Sequence, residues 1–273
     1  MSTMDVYGMT DQLDDSILDV IVTRLEARGK HPFFLEALQD YLEVMDIGSA
    51  ETVLDMGCGT GVATRAIAQY PGFTGKVTGT DLSPYLTKAA ASLAENEGLG
   101  SSIEFLTGDS RELGIPDSSF DAVIMHTLIS HVSDPIAVLQ EAARIVKPGG
   151  LIGIFDGDYA TITFGHEDPE KGKAYDEKII EAIITNPRIM REIPRLLPEA
   201  GLDLVASFPY ALADIGKADF FLPAIESFRK LIPKSGVMSE EETNAWADKQ
   251  IADSEDGIFF GATNFYSYVT RRQ

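Results

Sequence analysis

The chain has 273 residues, 44% of them hydrophobic, with 43 acidic residues against 22 basic ones and a formal net charge of -21. That length and apolar content suffice for one large core with elaborations, and the average field repels any long polyanion, so no nucleic acid is expected as a partner. A single cysteine, Cys58, rules out an intramolecular disulfide framework and a multi-cysteine metal site, which fits a reducing cytoplasm and an expectation of no metal.

The amino terminus, MSTMDVYGMTDQLDD, has neither a basic n-region nor an apolar h-region, and no run of about 18 apolar residues occurs, so neither export nor a membrane is expected. Ile17, Leu18, Ile21 and Leu25, then Phe34, Leu35, Leu38 and Leu42, recur at helical spacing and predict two helices broken at RGKHP. TVLDMG predicts a short buried strand, followed by a glycine turn and the helical VATRAIAQY. GKVTGTDLS predicts a second strand ending at Asp81, with PYLTKAAASLAENEG as its helix and Pro84 at a permitted early position. SIEFLTGDS and FDAVIMHT follow as strands, PIAVLQEAARIVKPGG as a helix with a Pro-Gly-Gly stop, and LIGIFDGD as a fifth strand. This alternation through residues 50–158 predicts a parallel sheet with helices on both faces, because parallel neighbours need crossover connections. Beyond it lie helical material to RLLPEAG, a sixth strand LDLVASFPYAL, mostly helical residues 214–255, and a terminal strand GIFFGATNFYSYVTR expected to pair antiparallel.

The turn DMGCGTG demands that something approach the backbone closely. A dinucleotide fingerprint, G-x-G-x-x-G, fails in both registers, since its third glycine would fall at Val62 or Thr64. No G-K-[ST] follows either, so a phosphate-binding Walker loop is absent. The glycines sit at alternate positions, Gly57, Gly59 and Gly61, as a close, flat turn.

VLDMGCGTG, the acid in TGTDLS, TGDS after the third strand and VKPGG before the fifth resemble the ordered motifs of class I S-adenosylmethionine-dependent methyltransferases. LISHVSDPIAVLQEAARIVKPGG is similar to the small-molecule branch that contains the ubiquinone and menaquinone biosynthesis methyltransferases. The resemblance covers residues 50–158, and IPRLLPEAGLDLV resembles a late helix and strand of that branch; residues 159–185 and 214–255 have no counterpart. It implies an α/β, Rossmann-like fold: a seven-stranded, mostly parallel sheet with one antiparallel strand, helices on both faces, and helical lid and cap insertions. The expected organisation is a helical lid at 1–47, a cofactor-binding core at 48–213 with a helical insertion at 159–187, a helical cap at 214–256, and a final strand at 257–273.

The implied cofactor is S-adenosylmethionine, with S-adenosylhomocysteine as product. By position, the resemblance implies that Gly57, Cys58, Gly59 and Gly61 let its methionine part lie against the backbone, and that Asp55 helps receive the ammonium group. Asp81 is placed for both ribose hydroxyls, Leu82 for the adenine face, and Asp109 for the adenine amino group with Ser110 beside it. Cys58 has no evident activating partner, so the turn's need for a small residue accounts for it.

Displacement at a sulfonium methyl needs positioning, exclusion of water and, for some acceptors, a base. His126 and His131 emerge beyond the fourth strand and are the candidate catalytic residues, with His126 also a candidate cofactor contact; a spacing of five argues against a metal pair. There is no D/N-P-P-Y/F motif and no acid set of the metal-dependent catechol type. Asp156 and Asp158 stand either as acceptor contacts or as a solvated strand end. Arg188, Arg191 and Arg195 share one helix side, either as an anion clamp or as a solvated face. Tyr7, Phe33, Tyr159, Phe164, Phe220 and Phe221 are candidates to line a roof or to form its core. The expected function is methyl transfer to a small-molecule acceptor at oxygen, carbon or nitrogen, by a cytoplasmic monomer or homodimer. Two alternatives stay open: an NAD(P)-dependent oxidoreductase, and a cofactor-binding protein with a non-methylating or regulatory role.

Overall fold

A strand apolar on both faces has to lie inside a sheet that is covered on both sides. In the computed structural model, which describes residues 5–273, β1 (Thr52–Met56) is such a strand, buried from Val53 onward. It pairs in parallel with β2 (Lys76–Asp81) and β4 (Phe120–His126). With β3 (Ile103–Thr107), β5 (Val146–Phe164), β6 (Leu202–Gly216) and β7 (Phe259–Arg272), these form a seven-stranded sheet of order β3-β2-β1-β4-β5-β7-β6. β7 runs antiparallel to both β5 and β6, the one reversed strand that the motif order implies. The chain winds outward from β1 to β3, then returns to start the other half at β4. That reversal opens a crevice at the carboxyl ends of β1 and β4.

Period-two alternation sorts the central residues onto two faces. Val53, Ala122 and Ile124 join a core built with α2 (Pro32–Val44), α6 (Pro169–Ile183), α8 (Phe221–Ser235) and α9 (Glu240–Glu255). Leu54, Val123 and Met125 face a second core, built with α5 (Pro135–Ile145) and α7 (Ile189–Leu196). The helices α1 (Asp15–Gly29), α3 (Val62–Ala68) and α4 (Pro84–Asn96) complete the cover. Local chemistry sets the helix starts. Asp14, Ser83, Asp134, Asp168 and Ser239 each accept a backbone N–H at an amino terminus, and proline stands at the first position of α2, α4, α5 and α6.

The structure departs from the sequence reading in the fifth strand. α5 ends at Ile145, before the Pro-Gly-Gly, and the chain enters β5 at once. β5 then continues to Phe164, where helix was expected from residue 159, because Thr163 and Phe164 pair with Ala262 and Gly261 of β7 after a register shift. The Thr161 hydroxyl bridges that irregularity, donating to the Asp158 carbonyl (2.6 Å) and accepting from the Asn264 N–H (2.9 Å).

Phe155 in β5 ties this sheet to the crevice. It is fully buried, stacked on His126 with ring centroids 4.6 Å apart and on Phe265 at 5.4 Å. Phe155→Ala is expected to lower the unfolding free energy by roughly 3–5 kcal/mol, read as a lower urea midpoint with an unchanged slope.

Candidate active site

The crevice is built around the turn that follows β1. Gly57, Gly59 and Gly61 have φ of 70°, 55° and 76°, a region in which side chains are strained. Their missing side chains are also packed against. A Cβ on Gly57 would lie 2.5 Å from Leu128 Cδ1, one on Gly59 2.9 Å from Leu25 Cδ1, and one on Gly61 2.8 Å from the Phe105 ring. The turn is stitched to the neighbouring strand by the Cys58 N–H, which donates to the Thr80 carbonyl at 2.8 Å.

Two acids flank the turn. Asp81, at the end of β2, accepts the Gly59 N–H on Oδ2 and the Ser83 N–H on Oδ1, both at 2.9 Å. Each of these oxygens has lone-pair capacity left for another donor. Burial raises the Asp81 pKa, against the opposing pull of those N–H groups. Asp55 is more enclosed. Its Oδ2 accepts the Thr64 hydroxyl at 2.6 Å, while its buried Oδ1 has no hydrogen-bond partner among the described residues. Burial, opposed by the Thr64 hydrogen bond and reinforced by the Asp81 charge, pushes its pKa up to about 7.

Three cavities meet here. The first, about 840 Å³ including its open mouth, is lined by Asp55, Gly57, Cys58, Gly59, Asp81, His126 and His131, with α1 across it. The second, about 890 Å³ including its open mouth, runs past Asp81 to Leu82, Asp109 and Ser110. The third, about 540 Å³ including the open space at its mouth, lies between α1, α8 and the sheet, with Tyr159, Phe220 and Phe221 in its wall. Tyr7 and His131 border all three. Of the sequence candidates, Gly61 lies behind the turn, at the amino terminus of α3 against Phe105 and Ala90. Phe33 and Phe164 pack in the aromatic core.

The two histidines differ in setting. His126 shares a hydrogen bond with the Tyr41 hydroxyl through Nδ1 (3.0 Å), and burial together with the Arg28 charge pushes its pKa down to about 3. It is a neutral ring at any ordinary pH. His131 places Nδ1 2.9 and 3.2 Å from the Asp5 carboxylate oxygens, and Thr185 donates to the same carboxylate through N–H and hydroxyl, both at 2.9 Å. Burial alone would lower the His131 pKa, but the charge and hydrogen bond of Asp5 raise it on balance. With Nδ1–H donated to Asp5, Nε2 is the free acceptor.

Other acids are committed elsewhere. Both Asp109 oxygens are held by Arg111 at 2.5 to 3.1 Å, which lowers the Asp109 pKa. Asp156 accepts the Ser130 and Gly157 N–H groups at 2.9 and 2.8 Å, and Asp158 pairs with Arg191 through Oδ2 at 2.7 Å, its buried Oδ1 having no hydrogen-bond partner among the described residues. Among the described residues, no cluster of three or more His, Cys, Asp or Glu is placed to hold a metal ion.

Sequence reasoning missed Asp5, Thr127, Arg24 and Arg28. Thr127 is β-branched yet has φ of 63°, a strain of about 1–3 kcal/mol. It is held by its N–H to the Phe155 carbonyl (2.7 Å), its hydroxyl to the His126 carbonyl (2.6 Å), and an Arg28 Nη2 donor at 2.6 Å. The two arginines had a signal: with Ile17 and Ile21 they continue one helical stripe of α1, positions where apolar residues belong. Asp5 had none.

Fold and site together define a Rossmann-like enzyme with a nucleoside-sized cleft at the switch point of its sheet. Residues 54–154 match the family model described as a methyltransferase domain. The chain is 31% identical over 184 residues to a demethylmenaquinone methyltransferase of Bacillus licheniformis, covering 62% of this chain and 78% of that one. It is 28% identical over 258 residues, 94% of this chain and 70% of the other, to an uncharacterized 37.1 kDa protein in transposon TN4556 of Streptomyces fradiae. A crystal structure of a putative methyltransferase from Bacillus halodurans superposes with a TM-score of 0.61 at 18% identity, over 86% of this chain and 98% of that one. The chain belongs to the class I S-adenosylmethionine-dependent methyltransferases of the small-molecule type. It is an enzyme that transfers a methyl group from S-adenosylmethionine to a small molecule, and the oxidoreductase and non-methylating readings are not favoured. No helix among the described residues is long and apolar enough to cross a membrane.

Cys58 is buried, and burial followed by the Asp55 and Asp81 charges raises its thiol pKa well above the ordinary value. It is expected to resist a thiol-reactive disulfide at mildly alkaline pH in the native protein and to react fully in denaturant; rapid native labelling would contradict this burial.

Proposed function

We propose that the first two cavities hold the cofactor and that the third receives the acceptor, with His131 as proton acceptor between them. The carrying observation is the convergence of all three cavities on Tyr7 and His131 beside the glycine turn. When bound, S-adenosylmethionine supplies an electrophilic methyl carbon on a sulfonium. The donor set suits it: the unpartnered Asp55 Oδ1 fits an ammonium group, and the spare lone pairs of Asp81 fit a ribose diol. The turn glycines, with Cys58 among them, leave backbone open to a methionine chain, while Leu82, Asp109 and Ser110 border the adenine end. Arg111, by holding Asp109, reduces what that acid can offer the ring.

His131 Nε2 would take a proton from the acceptor, and Asp5 would hold the imidazole in that tautomer and favour its charged form. This favours an acceptor atom that carries a proton, a hydroxyl first. His126, neutral and stacked on Phe155, would shape the methyl end of the cleft. Residues 1–47, of which 1–4 lie outside the described residues, and 214–256 would act as lid and cap, keeping water from the transfer. The single cysteine supports a cytoplasmic setting, and the -21 charge supports the absence of a nucleic-acid partner; the enzyme is taken to act as a monomer or homodimer.

Two pH effects test these roles. An ammonium group beside Asp55 favours the carboxylate, so binding must expel any proton held there. With a pKa near 7 in place of 3.8, S-adenosylhomocysteine binding at pH 7 should release about half a proton, and its affinity should rise from about pH 6 to pH 8. Calorimetry in buffers of different ionisation enthalpy reads this, and Asp55→Asn should remove it; an unlinked wild type would refute the Asp55 role. Ring NMR should show His131 titrating above 6.5, with the methyl-transfer rate rising with pH through the same midpoint. Asp5→Asn removes the charge that raises this pKa, so both midpoints should fall together, and a rate profile that ignored the change would remove His131 as the base.

A further inference from the structure

The third cavity contains two arginines in a chain with nearly twice as many acids as bases. Arg24 and Arg28 lie one helical turn apart on α1 and both line it, yet no Asp or Glu is among its lining residues. Arg24 is 9% exposed and makes neither an ion pair nor a hydrogen bond among the described residues. Residues 1–4, MSTM, contain no acidic side chain that could answer it. Its guanidinium carbon lies 4.6 Å from the Phe220 ring centroid, and that of Arg28 lies 5.5 Å from the Phe34 centroid, with one Arg28 nitrogen donating to Thr127. Aromatic faces ease the burial of a cation but leave most of its N–H donors unanswered. Burial, with the Arg28 charge adding, pulls the Arg24 pKa down to about 10, and the groups that oppose this are the hydroxyls of Tyr7 and Tyr159. Buried charges are kept where something pairs them, since an uncompensated one costs several kcal/mol.

From this pairing deficit, and on the reading of the third cavity as the acceptor chamber, we infer that the acceptor is a small amphiphilic anion. Its carboxylate or phosphate engages the Arg24 and Arg28 guanidinium groups, and its apolar body lies among Ile162, Ile184, Phe221 and Phe228. Planar guanidinium forks suit either oxyanion, and the wall beyond them is aliphatic and aromatic. The anion anchors at the α1 side, and the reacting atom then faces His131, which borders both this chamber and the cofactor cleft. A recognition charge set apart from the reacting atom lets binding energy orient the acceptor without neutralising the base.

The test is a titration of phenylacetate, phenyl phosphate and uncharged phenylacetamide into the protein saturated with S-adenosylhomocysteine. At least one anion should bind about tenfold or more tightly than the amide, the carboxylate and phosphate arms telling which oxyanion fits. Arg24→Met keeps the apolar stem and removes the charge. It should cut the preference severalfold, to what Arg28 alone supports and below what Arg24→Lys retains, leave S-adenosylhomocysteine affinity unchanged and leave the melting temperature unchanged or higher, as removal of a buried charge with no ion-pair partner among the described residues requires. Arg24→Lys, which keeps the charge and loses the fork, should retain part of the preference. Equal or absent binding of all three probes, or a preference left unchanged by Arg24→Met, would overturn the inference while the cofactor site stood. Failure of S-adenosylhomocysteine itself to bind would instead overturn the cofactor site on which the inference rests.

Discussion

Three positive-φ glycines in five positions set the position of everything else in the crevice. Each missing side chain is replaced by a neighbour's: Leu128 from the loop after β4, Leu25 from α1, and Phe105 from β3. The turn is therefore where the sheet, the amino-terminal helix and the β4 loop are brought into register. α1 packs close to the turn through Leu25, which carries Arg24 and Arg28 to the chamber wall. The loop after β4 packs through Leu128, which brings His131 to the junction of the cavities. A side chain at any of these glycines would add backbone strain and crowd the neighbouring side chain, Leu128, Leu25 or Phe105, that now fills its place.

Electrostatics in this confined space depend on what each charge is given. Asp5 has an imidazole and two Thr185 donors, Asp81 has backbone N–H groups, Asp55 has one hydroxyl and a bare oxygen, and Arg24 has aromatic faces. The fully answered Asp5 fixes geometry, and the groups with hydrogen-bonding capacity to spare, Asp55, Asp81 and Arg24, are those a ligand can complete. The strained Thr127 sits between these groups, holding Arg28 and the His126 carbonyl at once. Strain of that kind persists where surrounding contacts over-determine the backbone.

Much of the fold was legible because its signals are local. Buried parallel strands are apolar throughout, prolines and capping residues mark helix starts, and alternate glycines mark the turn, so the core through Asp158 and the acid at Asp81 could be placed by position. The extension of β5 to Phe164 was not legible, since it depends on pairing with β7 about a hundred residues further on. The Asp5–His131 pair spans 126 positions and has no sequence pattern at all. Asp109 looked free because the neighbouring Arg111 gives no hint of turning back on it. Arg24 and Arg28 were visible as charges on an apolar helical stripe, a local inconsistency of the sort that marks functional positions.

The central claim, transfer of a methyl group to a small acceptor in this chamber, is most directly tested by mass spectrometry. Purified protein would be incubated with methyl-deuterated S-adenosylmethionine and a small-metabolite extract, beside an Asp81→Ala control. A low-mass anionic product carrying the heavy methyl, formed by the wild type and absent from the control, is the predicted result, and it would give the acceptor's mass. Heavy methyl appearing only on protein or nucleic acid, or no labelled species from a wild type that binds S-adenosylhomocysteine, would contradict it.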